Sequence, residues 1–232
     1  MKTKPTSVEK LIEEHVRKWE MLRRKKKQQV LEPVIAVSRL PGSGGRLIVR
    51  KIADEMNFDL FDSEIVQKIA ESARVSSTIV ETLDEKGRSA IEDWLSALVN
   101  DRYFWDEGFV KHLAKVLNVI GKHGKAVILG RGASFVLPPA QCVRVLVVAP
   151  FEVRIQNIIK EFDTSAEEAR RRVMRTESDR KAFIRKYFHA EMTDPTHFDL
   201  VLNTEFISID GALEIIKAAW NTKRARLGPA LS

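Results

Sequence analysis

Short runs of nearly continuous apolar residues alternate along this chain with longer stretches in which apolar side chains return every three or four positions. The first pattern reads as strand and the second as amphipathic helix. Five runs qualify as strands: Val34 to Ser38, Phe58 to Phe61, Ala126 to Leu129, Val143 to Val148 and Phe198 to Asn203. Several have almost no polar position, as strands buried on both faces of a parallel sheet should. Helical stretches connect them, at Arg46 to Met56, Ser63 to Ala73, Ala90 to Gly121 and Phe151 to Phe162, and Ser208 to Trp220 follows the last strand. The alternation predicts an α/β domain, a five-stranded parallel sheet with helices on both faces.

Two segments stand outside the alternation. Thr6 to Gln29 reads as a helix opened by a capping box, Thr6 and Glu9, with an apolar stripe of Val8, Leu11, Ile12, Val16, Trp19 and Leu22. It ends in the basic run RRKKKQQ, and Pro33 stops any helix before the first strand. Residues 1–32 therefore form an N-terminal arm, 33–224 the main domain and 225–232 a tail. The stripe must lie on the domain or on the same helix of a second chain, and a homodimer through this helix is expected. The second segment, Thr164 to Phe188, is helical, polar and dense in cations, with Arg170, Arg171, Arg172, Arg175, Arg180 and Arg185 beside Lys181 and Lys186. A mostly polar helix between two strands has the composition of a phosphate-closing lid, bounded at 163–190.

Composition narrows the partners. The chain has 232 residues, 44% hydrophobic and 31% charged, within the globular range, and a formal charge of +7 that favours anionic partners. The single cysteine, Cys142, has no intramolecular disulfide partner, and Met1 leads into polar residues, so the cytoplasm is the expected location. The longest apolar run, Val143 to Phe151, falls well short of the roughly 18 residues that span a bilayer. No membrane partner is expected. The basic run lacks interleaved aromatics and reads as a solvated face, so nucleic acid is not the expected partner.

The stretch SRLPGSGGRLI, Ser38 to Ile48, follows the first strand and opens a helix. In a Walker A loop, G-x-x-x-x-G-K-[ST], glycines turn backbone amides toward phosphate, the lysine reaches the transferred group and the hydroxyl holds magnesium. Laid on that pattern, Gly44 takes the second glycine, Gly45 falls where the lysine belongs and Arg46 where the hydroxyl belongs, while Arg39 stands at the first glycine. The cradle is kept and two chemical groups are missing. Arg39 and Arg46 supply positive charge instead, since guanidinium pairs well with phosphate; a tight glycine-rich turn is the bland alternative. Asp62 and Ser63 follow the second strand, either as ordinary helix-cap residues or as a carboxylate and hydroxyl reading a base at the sheet's carboxyl edge. Arg131, between Gly130 and Gly132 after the third strand, reads as a phosphate contact or a solvated loop arginine.

The order SRLPGSGGR, FDSEI, LGRG, VRVLVVAP, DRKAFIRKYF and DPTHFDLVLNT resembles the cytidylate kinase-like family, relatives of bacterial cytidylate kinase among P-loop nucleoside monophosphate kinases, over about Pro33 to Trp220. The resemblance implies a five-stranded P-loop NTPase-type core that transfers the γ-phosphoryl of ATP to CMP or dCMP with magnesium. It implies that Gly42, Ser43, Gly44 and Gly45 hold ATP phosphates, that Asp62 and Ser63 read cytosine, and that Arg131 binds the monophosphate. Residues 62–125 then form the monophosphate-binding region. Arg175 and Asp179 match an arginine and an aspartate of the family's lid, with Arg180 and Arg185 as further lid cations. The family's usual Gly-Lys-Gly-Thr reads Gly44, Gly45, Arg46, Leu47 here, and its Gly-Arg-Asp reads Gly130, Arg131, Gly132. Metal ligands stay unassigned; Ser43, Asp54, Asp62 and Asp84 are the candidates at hand. The leading expectation is a phosphotransferase with Arg46, Arg175, Arg180 and Arg185 as its cations. The rival is a nucleotide-binding regulatory module that keeps the cradle without transfer.

Overall fold

Val34 to Val37 are wholly removed from solvent, and the reason is their place at the middle of the sheet. In the computed structural model, which describes residues 7–24, 32–71, 73–83, 85–91 and 108–227, the strands are β1 (Val34–Arg39), β2 (Asp59–Phe61), β3 (Ala126–Leu129), β4 (Cys142–Val148) and β5 (Leu200–Asn203). All pairings are parallel, in the order β2-β3-β1-β4-β5. β1 pairs with β3, Ile35 opposite Val127, and with β4 from Val34 opposite Cys142 to Arg39 opposite Val147.

The two-residue period of β1 divides the core. Val34 and Ala36 belong to one apolar cluster, Ile35 and Val37 to the other. The second cluster is closed by α2 (Gly45–Met56), through Ile48, Val49 and Ile52, and by the last helix, α9 (Ile209–Leu227), through Leu213, Ile216 and Trp220. The first is covered by α3 (Ser63–Glu71), α4 (Ala73–Glu81) and α5 (Gly108–His123), with Ile184 and Phe188 of α8 (Ala166–Phe188). A short helix α6 (Ala133–Val136) follows β3, and α7 (Phe151–Phe162) packs on α8 through Ile155, Ile158, Ala169 and Val173.

The arm helix, α1 (Ser7–Arg24), lies on its own domain. Trp19 is 2% exposed and stacks on His123, with ring centroids 4.2 Å apart and planes within 6°. Ile12 is buried in the same cluster, and Lys18 Nζ donates to both carboxylate oxygens of Asp59 at 2.8 Å. This is the first of the two packings that the stripe allows. Thr6, the side chains of Val8, Leu11 and Leu22, and residues 25–29 of the basic run lie outside the described residues.

The expected elements are present, with three differences. α4 was not anticipated: its sequence, ARVSSTIVE, is rich in β-branched and hydroxyl residues, and packing of Ile79 and Val80 into the core overrides that weak propensity. The stretch expected as one helix from Ala90 to Gly121 is described over 85–91 and as α5, with 92–107 outside the described residues. α9 continues past Trp220 to Leu227 without apolar periodicity, because Lys223 Nζ donates to Cys142 O at 2.6 Å and to Asp199 Oδ2 at 2.8 Å. Among the described residues no helix is long and apolar enough to cross a membrane.

Candidate functional site

The loop between β1 and α2 has its carbonyls tied inward. Arg39 O accepts from Arg180 Nη1 at 2.9 Å, Leu40 O from Ser43 Oγ at 2.8 Å, and Gly42 O from Asn157 Nδ2 at 2.8 Å. Pro41 O accepts from Arg154 Nη1 at 3.5 Å, Ser43 O from Thr204 Oγ1 at 3.0 Å, and Gly44 O from the amides of Leu47 and Ile48. With the carbonyls satisfied, the amides of Gly44, Gly45 and Arg46 at the start of α2 have no backbone acceptor among the described residues. Such a run of free amides at a helix N-terminus is an anion cradle. The turn depends on glycine: Gly42 and Gly44 sit at φ 78° and 76°. A Cβ on Gly42 would also overlap the carbonyl oxygen of Arg154.

Two cavities open along the carboxyl edge of the sheet. The larger, about 730 Å³, is lined by the 39–47 loop and helix start, by Arg50, and by Lys160, Glu161, Phe162, Arg172, Thr176 and Arg180. The smaller, about 350 Å³, is lined by Ser38, Arg39, Ser63, Gly130, Arg131 and Gly132 on the sheet side and by Thr176, Asp179, Arg180 and Phe183 on α8. Arg39, Thr176 and Arg180 belong to both, so a wall carrying two guanidinium groups separates the cavities.

The cations of this wall perturb one another. Burial pushes the Arg39 guanidinium down to about 9, and Arg180, Arg46 and Arg131 push the same way while Asp62 opposes them. Burial likewise takes Arg180 down to about 10, helped by Arg46 and Arg131 and opposed by Glu177. Arg131 is also lowered by burial. Four guanidinium groups converging with little carboxylate among them is a geometry that a multiply charged anion relieves.

Of the residues singled out in the sequence, Arg39, Gly42, Ser43, Gly44, Gly45 and Arg46 line the larger cavity, and Ser63, Arg131 and Asp179 the smaller. Arg131 takes a left-handed backbone, φ 52°, donates from Nε to Ser63 O at 3.0 Å and is paired with Gln67 Oε1. Arg46 is largely exposed, 4.0 Å from Glu161 Oε1. Asp62 lines neither cavity and caps α3, its Oδ1 accepting from the amides of Glu64 at 2.9 Å and Ile65 at 3.0 Å. Arg175 is exposed and lines neither cavity, and Arg185 turns to Glu191 Oε1 at 2.7 Å. Arg154, Asn157 and Thr204, which orient the loop from below, escaped the sequence reading. Their available signal was position, just beyond the carboxyl ends of β4 and β5.

The donor set for a divalent cation is poor. Ser43 Oγ, 1% exposed as a residue, is engaged with Leu40 O and with Val147 O at 3.0 Å. Among the described residues Glu161 is the one acidic residue lining the larger cavity, and it faces Arg46. Asp54 lies at a separate surface depression, and Asp84 is outside the described residues. Among the described residues no three His, Cys, Asp or Glu side chains gather. These residues do not fit a magnesium ion held by the protein.

Comparison with known proteins agrees with the fold. The family model described as "Cytidylate kinase-like family" matches residues 34–206. A cytidylate kinase of Ignicoccus hospitalis is 27% identical over 185 residues, covering 79% of this chain and 96% of that protein. One from Pyrobaculum neutrophilum is 30% identical over 185 residues, covering 78% of this chain and 89% of its own length. Among solved structures, an uncharacterized protein from Eubacterium ventriosum superposes with a TM-score of 0.58 at 16% identity, over 82% of this chain and 99% of that one. The match runs from the first residue of β1 to beyond the end of β5, and with it the chain belongs to the cytidylate kinase-like family.

Proposed function

We propose that the protein is a nucleoside monophosphate kinase that moves the γ-phosphoryl group of ATP to CMP, dCMP or a similar nucleotide. The observation that carries this reading is the common wall: two cavities meet at Arg39, Thr176 and Arg180, as a two-substrate transfer requires. The larger cavity, with its amide cradle, takes the triphosphate; the smaller, with Arg131, takes the monophosphate. The relatives named cytidylate kinase support the acceptor class, and Ser63 at the smaller cavity supplies a hydroxyl to a base there.

In the transfer an oxygen of the acceptor phosphate forms a bond to the γ-phosphorus while the bond from that phosphorus to the bridging β,γ-oxygen breaks, leaving ADP. Such a step asks the protein for alignment and for positive charge around the moving group. The cradle amides, Arg46 and Arg180 meet the second need on the donor side, and Arg131 holds the acceptor. Magnesium, where used, comes with the nucleotide and adds to that charge. Arg175 and Arg185 serve as transfer cations in this scheme only through movement of α8, which would turn them toward the phosphates. Their replacement by alanine tests that role.

The test is ADP release by the purified protein with ATP and magnesium against CMP, dCMP, UMP, AMP and GMP. Turnover that depends on a pyrimidine monophosphate and falls at least tenfold in Arg131→Ala supports the reading; release equal to an enzyme-free blank with every acceptor overturns it. A second reading, nucleotide binding without transfer, is favoured by Gly45 in the lysine position and by the engaged Ser43 hydroxyl. Saturable binding of ATP with no acceptor-dependent turnover would establish it.

A further inference from the structure

We propose that Arg39 is a further transfer cation of this site beside Arg180, that its side chain occupies the space a Walker lysine would need, and that it contacts both phosphate groups. The transfer step rests on the kinase reading above; the placement of Arg39 rests on geometry alone.

Two positions have exchanged chemistry. A Walker loop has glycine at the position of Arg39 and lysine at the position of Gly45. Here a Cβ built on Gly45 would lie 2.8 Å from Arg39 Cβ and 3.1 Å from its Cγ, closer than such atoms approach. The aliphatic stem of Arg39 therefore crosses the root of the missing lysine. A side chain at 45 and arginine at 39 exclude one another. Losing the lysine and gaining the arginine are one change in the site.

The far end of Arg39 is accommodated in the same way. A Cβ on Gly130 would overlap Arg39 Nη1, so the end of the guanidinium reaches the glycine that precedes Arg131. This carries it from β1, the middle strand of the sheet, across the mouth of β3. Arg39 thus lines both cavities, whereas Arg46 lines only the larger and Arg131 only the smaller. It is also less exposed than Arg46, so less side-chain freedom is lost when phosphate binds. Its burial among cations is a cost to the folded chain, which a phosphate at the common wall offsets.

The test reads binding and turnover separately in five proteins: wild type, Arg39→Ala, Arg46→Ala, Gly45→Lys, and the double variant Arg39→Gly with Gly45→Lys. Calorimetric titrations use adenylyl imidodiphosphate and CMP, each alone. Arg39→Ala is expected to weaken both ligands roughly tenfold or more, the scale of a lost charge-assisted contact. Arg46→Ala is expected to weaken only the ATP analogue. Gly45→Lys alone is expected to bind the analogue poorly, and the double variant, with a Walker lysine and room for it, to recover analogue binding. Thermal melting of Arg39→Met serves as the folding control. Its midpoint is expected to stay level or rise, because a buried repulsion is removed.

Unchanged CMP affinity in Arg39→Ala overturns the proposal, as does a double variant that binds the analogue no better than the weaker single. Wild-type turnover in Arg39→Ala overturns it while leaving the kinase reading standing. If the wild type turns over no acceptor but the binding pattern holds, the kinase reading fails and Arg39 keeps its place as the cation between the two phosphate sites.

Discussion

Arg154 Nη1 donates to Glu177 Oε2 across 2.8 Å, from a side chain only 7% exposed, and this pair ties α7 to α8 beneath the phosphate loop. Arg154 also donates to Ala149 O at 3.1 Å and to Pro41 O, so one guanidinium fixes the end of β4, the loop and the arginine-rich helix together. Burial pushes the Glu177 carboxyl up, but hydrogen bonds from Lys181 and Arg154 outweigh it and hold the carboxyl below its usual range. Its contribution is therefore present above pH 4.5 and is lost as the pH falls through the lowered folded value. Glu177→Ala strands a buried guanidinium and is expected to cost about 3 kcal/mol. Denaturant titration measures that loss, and ATP affinity should fall with it because Pro41 and Arg180 lose their support.

Gly42→Ala is expected to be the most damaging single-methyl change in the loop. The left-handed φ of 78° costs a non-glycine residue on the order of 1 kcal/mol. The added Cβ must also displace the Arg154 backbone, whose carbonyl it would overlap. Relief requires α7 to move away from the loop, which breaks the Asn157 bond to Gly42 O. A lowered melting temperature together with loss of ATP binding checks this. A variant that melts like wild type would show that the loop backbone tolerates the change.

What could be read from sequence, and what could not, follows from the range of the interactions. The five strands announce themselves through local apolar runs, and the glycine loop through its position between a strand and a helix. Sheet order and α4 depend on packing between distant segments, as do Arg154, Asn157 and Thr204 as anchors of the loop. The arginine-rich helix is instructive. Its cavity-lining residues are Arg172, Thr176, Asp179, Arg180, Phe183 and Ile184, spaced as one helical face. Arg175 and Arg185 fall off that face, so counting arginines pointed to the right helix while a helical wheel through Arg180 would have separated them. Asp62 carries two hydrogen bonds that any helix cap would carry, and its sequence context alone favours that role as much as a base contact.

Ser43→Ala tests the source of charge in the larger cavity. Leu40 O keeps the Ser43 amide and Val147 O keeps the Leu40 amide, so loss of the hydroxyl's bonds to them is expected to cost about 1 kcal/mol of stability. The magnesium concentration dependence of ATP binding should be unchanged in the variant. In the wild type, chelation of divalent cations is expected to leave ATP binding in place, since among the described residues Arg39, Arg46, Arg50, Lys160, Arg172 and Arg180 line the cavity against Glu161 alone. Loss of all ATP binding on chelation, or a shifted magnesium requirement in Ser43→Ala, would show that the serine reaches a metal after all.

The arm should respond to acid through His123. Thr82 Oγ1 donates to Ile79 O at 2.6 Å and so accepts from His123 Nε2 at 2.8 Å, which puts the ring's hydrogen on Nε2. Nδ1 is buried without a partner among the described residues, and a proton added there would have no acceptor among them. Burial accordingly takes His123 down to about 4, with Asp59 pulling the other way. His15, its ring tilted against Phe61 at 4.6 Å between centroids, is lowered by burial as well. A base whose folded value lies below its unfolded 6.5 stabilises the fold above pH 6.5, and that stabilisation drains as the pH falls toward 4. Between pH 7 and pH 5 the loss from His123 alone is on the order of 2 kcal/mol. Guanidinium melts at the two pH values should show it, and His123→Phe, which keeps a ring under Trp19 but does not titrate, should flatten the difference. Equal pH dependence in the variant would assign the acid sensitivity to His15 instead.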